Sequence, residues 1–139
     1  MLKKKEEKLK YALFANQINN AINRKLASTI VKNFVGLLSV LKELNIRGFI
    51  RGFEIIDDQN IRIFFKFNMK TGNSVLETVK LLTKSSLRNY LDLTQIKRLL
   101  FHNKSFLMRV FIMSTKEGLV VIDTVSSVKE GGELIFQIN

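Results

Sequence analysis

Proline, cysteine and tryptophan are all missing from the 139 residues, and histidine occurs once, at His102. Without cysteine there is no disulfide, no thiolate metal site and no cysteine nucleophile. A single His excludes His-rich zinc centres and paired-His acid–base catalysis. Neither a metal nor an organic cofactor is expected, because a tight zinc site would have too few ligands. No apolar run approaches the roughly 18 residues of a membrane-spanning helix. The start, Met1-Leu2-Lys3-Lys4-Lys5-Glu6-Glu7-Lys8, lacks an apolar signal core. Its acidic residues and lack of serine also argue against a cleaved transit peptide. Zero proline, against a usual share of about 5%, goes with 16 Lys to 7 Arg. This reads as translation of an AT-rich genome, organellar or bacterial, since proline codons are cytosine-rich.

Acidic groups are also scarce: 12 Asp+Glu face 23 Lys+Arg, giving a formal charge of +11. With 46% hydrophobic residues the chain is too apolar for a disordered basic tail. Its length suits one domain or two small packed modules. Such an excess of cations favours polyanionic partners, nucleic acid before anionic lipid. The charge is uneven. Residues 1–51 hold 11 basic and 3 acidic groups, residues 80–116 hold 8 and 1, and the other two stretches are slightly acidic. Two basic zones predict a surface that grips a polyanion at two places; a generally basic surface inherited from lysine-rich codons is the plainer alternative.

Apolar residues at Tyr11, Phe14, Ile18 and Ile22 predict a helix over 8–23. A short β-prone run, Leu26 to Val31, precedes a second amphipathic helix over about 32–45, with Phe34, Leu37, Leu38, Leu41 and Leu44 as its buried stripe. Two strands, Phe49 to Ile56 and Ile61 to Phe67, flank the turn Asp57-Asp58-Gln59-Asn60. The polar, glycine-containing segment 69–74 is the best boundary. Beyond it come runs over 75–82 and 87–91, a brief helix over 94–101, and β-type runs over 106–113, 119–125 and 134–138. The expected class is α+β: an N-terminal helix-strand-helix-hairpin module, residues 1–72, and a mostly β C-terminal module with one short helix, residues 73–139.

No catalytic arrangement emerges. There is no phosphate loop, GxGxxG or HExxH pattern, and Asp57-Asp58 reads as a pair of solvated turn formers. Three polar segments remain. In Ser114-Thr115-Lys116-Glu117-Gly118, hydroxyls can meet base edges or ribose, Lys116 a phosphate, and Gly118 permits close backbone approach. On the residues alone, an ordinary polar hairpin turn is the commoner reading. Thr83-Lys84-Ser85-Ser86-Leu87-Arg88-Asn89-Tyr90 combines hydroxyls, two cations and an aromatic that could stack on a splayed base, or forms a solvated loop. Gly131-Gly132-Glu133 is a tight turn into the last strand.

In order along the chain these pieces resemble the bacterial and organellar small-subunit ribosomal protein S-eight family. That family's S-T-S-x-G-V, followed after about a dozen residues by G-G-E and an apolar strand, is similar to Ser114-Thr115-Lys116-Glu117-Gly118-Leu119 and Gly131-Gly132-Glu133-Leu134-Ile135. Its S-R-P-G-L-R-x-Y resembles residues 83–90. Its M-L-T-R-I-R-N-A resembles Phe14-Ala15-Asn16-Gln17-Ile18-Asn19-Asn20-Ala21, and its G-[FY]-I-x-x-[FY] resembles Gly48-Phe49-Ile50-Arg51-Gly52-Phe53. The resemblance runs from about Tyr11 to the C-terminus. Departures are Lys116 for the second serine of the triplet, Ser85-Ser86 for Pro-Gly, extra residues near His102 and before Gly48, and the basic first ten residues.

The resemblance implies a non-enzymatic constituent of the small ribosomal subunit, bound to the central domain of small-subunit ribosomal RNA and to neighbouring small-subunit proteins, supporting assembly and translation. It implies no membrane or small-molecule partner. The implied RNA contacts are Ser114, Thr115, Lys116, Gly118, Gly131, Gly132, Thr83, Lys84, Ser85, Ser86, Arg88, Tyr90, Lys97, Asn19 and Asn20, with Glu133 as a structural acceptor. A small basic RNA-processing enzyme is the alternative, but one His and scattered carboxylates hardly supply a cleft of converging acid–base groups. A membrane-surface protein would need a longer basic amphipathic helix than residues 8–23 give. The lost prolines and the departures from the family pattern favour a fast-evolving mitochondrial gene, with plastid and bacterial origins as alternatives.

Overall fold

The computed structural model describes residues 2–83, 90–102, 110–122 and 130–139. Helix α1, Leu2–Asn23, buries Tyr11, Phe14, Ala15, Ile18 and Ala21, a stripe at the three- and four-residue spacing of a helix face. It ends as Lys25 turns left-handed, at φ 55°. The Lys25 and Leu26 amides then donate to the Ile22 and Ala21 carbonyls, both at 3.0 Å, the paired bonds of a Schellman stop.

Strand β1, Ser28–Lys32, follows, then α2, Leu37–Ile46, and the hairpin of β2, Ile50–Ile55, with β3, Asn60–Phe65. They form an antiparallel sheet in the order β1-β3-β2. The second helix begins five residues later than its apolar pattern suggests. Lys32 is still paired in β1, and Asn33 donates its amide to Gln59 at 2.7 Å. Only at Gly36, with φ 93°, does the chain turn into the helix.

The hairpin turn is built by Asp57. Its carboxylate accepts the amides of Gln59 and Asn60 at 2.8 and 2.9 Å and the Asn60 side-chain amide at 3.1 Å. Those donors, the Asn60 side chain foremost, hold the Asp57 carboxyl below its ordinary range, since they favour the charged form.

After a turn at 68–73, closed by a Phe67–Ser74 bridge, come β4, Val79–Leu81, β5, Tyr90–Leu91, and α3, Leu93–His102. The apolar run over 75–82 yields only this short strand: the Val75 amide still donates to Lys66 of the first half, and bonding to the C-terminal end begins with the Glu77 amide donating to Asn139 and the Asn139 amide to Thr78. A capping box opens α3: Gln95 donates its amide to Asp92 Oδ1 at 2.8 Å, and Asp92 donates to Gln95 Oε1 at 3.0 Å. Strands β6, Val110–Thr115, β7, Gly118–Ile122, and β8, Gly132–Ile138, complete the chain. The second sheet runs β4-β8-β6-β7, with β5 also paired to β8. The class is thus α+β, helices and strands first and a mostly β half with a short helix after.

Alternation along the second sheet gives it two covered faces. Ile112, Ile135, Phe136 and Ile138 join α1, α2 and the first sheet in one core. Phe111, Met113, Ile122 and Leu134 pack with Ile96 of α3 in a smaller one. Tyr11 and Phe14 each meet Phe34 and Phe136 edge to face, with centroids 5.2–5.7 Å apart. Helix α1 therefore packs against both sheets.

Candidate nucleic-acid interface

The β6–β7 hairpin turns in two residues, Lys116 and Glu117, since Thr115 pairs with Gly118. Much of the expected polar loop is therefore strand. The Thr115 hydroxyl donates to the Gly118 carbonyl at 3.0 Å and accepts the Glu117 amide at 3.2 Å, so it ties the turn together. Gly118, at φ 115°, has the backbone that L side chains resist, although nothing in the chain lies within 4 Å of where its Cβ would be. Lys116, Glu117 and Gly118 are exposed, and Ser114 and Thr115 half-buried.

Strand pairing then joins pieces far apart in sequence. Tyr90 of β5 pairs with Glu133 of β8, which pairs on its other side with Ser114 of β6, itself opposite Leu119 of β7. Gly132 is paired to Leu91 in the next row. A Cβ on Gly131 would lie 2.7 Å from the Leu91 carbonyl oxygen, and one on Gly132 would run into the Ser114 carbonyl. The two glycines are thus required by the convergence of β5, β8 and β6. Tyr90 is exposed at the edge. Lys97, also exposed, stands on α3, which Asp92 starts one residue after β5.

Glu133 lies within this row. Its carboxylate accepts the Thr83 hydroxyl at 2.9 Å and sits 3.8 Å from Lys8 Nζ. Thr83 is only 1% exposed, so its hydroxyl serves Glu133. Lys8, whose role the sequence did not signal, offsets a negative charge that would repel phosphate. Asn19 is also engaged inside the protein. Its side-chain oxygen accepts the Val79 amide and its Nδ2 donates to the Val79 carbonyl, both at 2.8 Å, which clips α1 to β4 as a strand edge would. Asn20, next to it, is exposed. Neither adjoins the hairpin corner in the strand register. Lys84, Ser85, Ser86 and Arg88 lie outside the described residues.

The site is thus a corner of the second sheet presenting an aromatic, hydroxyls, a turn backbone and cations. Groups of that kind suit phosphate, ribose and unstacked bases. A cleft of about 290 Å³ lies elsewhere, lined by Ile22, Asn23, Lys25, Asn73, Ser74 and Glu77. Asp57 is spent on its turn.

Residues 11–139 match the family described as Ribosomal protein S8. The chain is 32% identical over 125 residues to small ribosomal subunit protein uS8 of Nautilia profundicola, covering 88% of this chain and 91% of that protein. It is 31% identical over 124 residues to uS8 of Streptococcus pyogenes, covering 87% and 85%. To uS8c of Bigelowiella natans it is 28% identical over 129 residues, covering 88% and 92%. The matched span starts at Tyr11, where the motif resemblance also starts, and takes in both sheets and the hairpin corner. The chain belongs to the ribosomal protein S8 family.

Proposed function

We infer that this chain is a structural, non-enzymatic protein of the small ribosomal subunit, and that residues 73–139 hold its principal contact with small-subunit ribosomal RNA. The observation that carries the assignment to this half is the Tyr90–Glu133–Ser114 row beside the Lys116-Glu117 turn. Ser114 and the exposed backbone at Gly118 face ribose and base edges, Lys116, Lys97, Lys84 and Arg88 meet phosphates, and Tyr90 stacks. Ser85 and Ser86 contribute hydroxyls. Thr115, Gly131, Gly132, Thr83 and Glu133 shape the corner, while Asn19 and Asn20 belong to a separate part of the surface. Charge neutralisation supplies affinity, and the hydroxyls and turn backbone supply shape selection.

The RNA element is in the central domain of the small-subunit RNA, and neighbouring small-subunit proteins complete the contacts. The compartment is the mitochondrion: zero proline and 16 Lys to 7 Arg fit an AT-rich organellar gene. Sedimentation of the tagged chain with isolated organelle ribosomes checks that placement, and its absence from mitochondrial small subunits refutes it.

An RNA footprint with an alanine scan tests the interface. With roughly 6–10 phosphate contacts, affinity falls by about 10³–10⁵ from 50 to 200 mM salt. Removing Lys116 or Lys97 flattens that slope without changing which RNA is chosen. Free substitution of residues 114–118, with discrimination residing in residues 1–51, would overturn the assignment.

A further inference from the structure

The first sheet has an inner face in the main core and an outer face open to solvent. Val31, Ile61, Ile63 and Phe65 point inward and are buried. By alternation Phe64 points outward; it is half-buried and belongs to neither hydrophobic cluster of the described residues. Its neighbours across the sheet are small: Ser28 on β1 and Gly52 on β2. Nothing lies within 4 Å of where a Cβ on Gly52 would be, so there is space beside the ring.

A β-bulge completes the arrangement. The register steps from Ile50–Phe65 to Gly52–Phe64, leaving Arg51 as the extra residue. Such bulges re-aim a side chain, and here the Arg51 guanidinium lies 5.3 Å from the Phe64 ring centroid. Arg51 and Lys66, two residues along the strand from Phe64, are exposed. Arg62 is paired with Glu54 at 3.7 Å, the only carboxylate among the strand residues on this face. Arg51, Arg62 and Lys66, beside an aromatic ring with open flanks, match a base attached to a polyanionic backbone.

We propose that the outer face of the β1-β3-β2 sheet is a second RNA-binding site, holding one unpaired nucleotide with its base stacked on Phe64 and its phosphates on Arg51 and Lys66. The proposal rests on the ribosomal-RNA reading but uses a different sheet and a different chemistry. Arg51 either moves aside for the base or covers its far side, and the bulge leaves it free to do both.

Because the chain contains no tryptophan, Phe64→Trp supplies a single indole reporter on an outward-facing position. A single-stranded oligouridylate should quench that indole, and the full-length variant should bind the oligonucleotide as well as the parent. Phe64→Leu, which keeps an apolar side chain but cannot stack, should weaken binding about 5- to 150-fold, the range for loss of one stacked base, with the melting temperature little changed. Bound oligonucleotide with unquenched indole, or undiminished binding by Phe64→Leu, overturns the proposal. So does an indole that responds to purified small-subunit proteins and never to RNA, since the face would then be a protein contact. Folded small-subunit RNA titrated in parallel separates the two readings. If the parent chain binds none of it, the wider RNA reading falls as well; if binding is normal and Phe64 is silent, only the second site is lost.

Discussion

Two positions show how a residue expected to touch RNA can be fixed by the protein's own packing. At Gly132 a methyl group would meet the Ser114 carbonyl and Met113 Cγ, the latter at 3.1 Å. Gly132→Ala should therefore cost about 1–3 kcal/mol, as for overpacking elsewhere, measurable as a lower urea midpoint with no RNA present. Unchanged stability with weakened RNA binding would instead make the glycine a ligand contact. Asn19 offers the complementary case. Asn19→Ala strips the Val79 amide and carbonyl of their partners and should cost about 1–3 kcal/mol, since unsatisfied groups lose more than the bond itself contributes. Asn20→Ala, on the exposed neighbour, should stay within about 0.5 kcal/mol. Equal effects at the two positions in thermal melts would contradict this account.

At the scale of elements, periodicity carried most of the fold. The stripe Tyr11, Phe14, Ile18 identifies α1, because it reflects burial on one side, and the turn Asp57-Asp58-Gln59-Asn60 with the apolar run after it identifies β3. The start of α2 lies later than its apolar pattern because Phe34 belongs to the core without being helical. The run over 75–82 is longer than its strand because Leu76 is buried, at 2% exposure, ahead of β4. Local pattern reports burial, not partners, so the pairing of Tyr90 with Glu133 could not be read from it. Phe64 was legible in principle, since it falls on the wrong side of its strand's alternation. The β2–β3 turn yields a pH test. Because the Asp57 carboxyl is held below its ordinary value, its contribution is present above about pH 3.9, the ordinary carboxylate value, and is lost as pH falls through the depressed one. Asp57→Ala should melt below the parent at pH 7, the gap closing in acid. A gap that persists unchanged at the lowest pH would show that the charge plays no part.

For the whole molecule, the question is whether the two halves stand together. The boundary segment at 69–74 is polar, and a linker there would let each half unfold alone. The core argues otherwise. Phe136 belongs to the last strand, yet its ring meets Tyr11 and Phe14 of the first helix, with Phe34 stacked edge-on against the same pair. Cooperative units follow buried contacts, and this cluster joins the first and last thirds of the chain. The hairpin corner then shares its stability with the first sheet, so a ligand held at either of the two proposed sites would stabilise both. Phe136→Ala, at a residue 1% exposed, should cost about 3–5 kcal/mol. Amide exchange should register that loss in β3, around Ile61 and Ile63, as fully as in β6 around Ile112. If β3 keeps its protection while β6 loses it, the halves are independent, and the corner would have to be ordered by its own small core around Ile96.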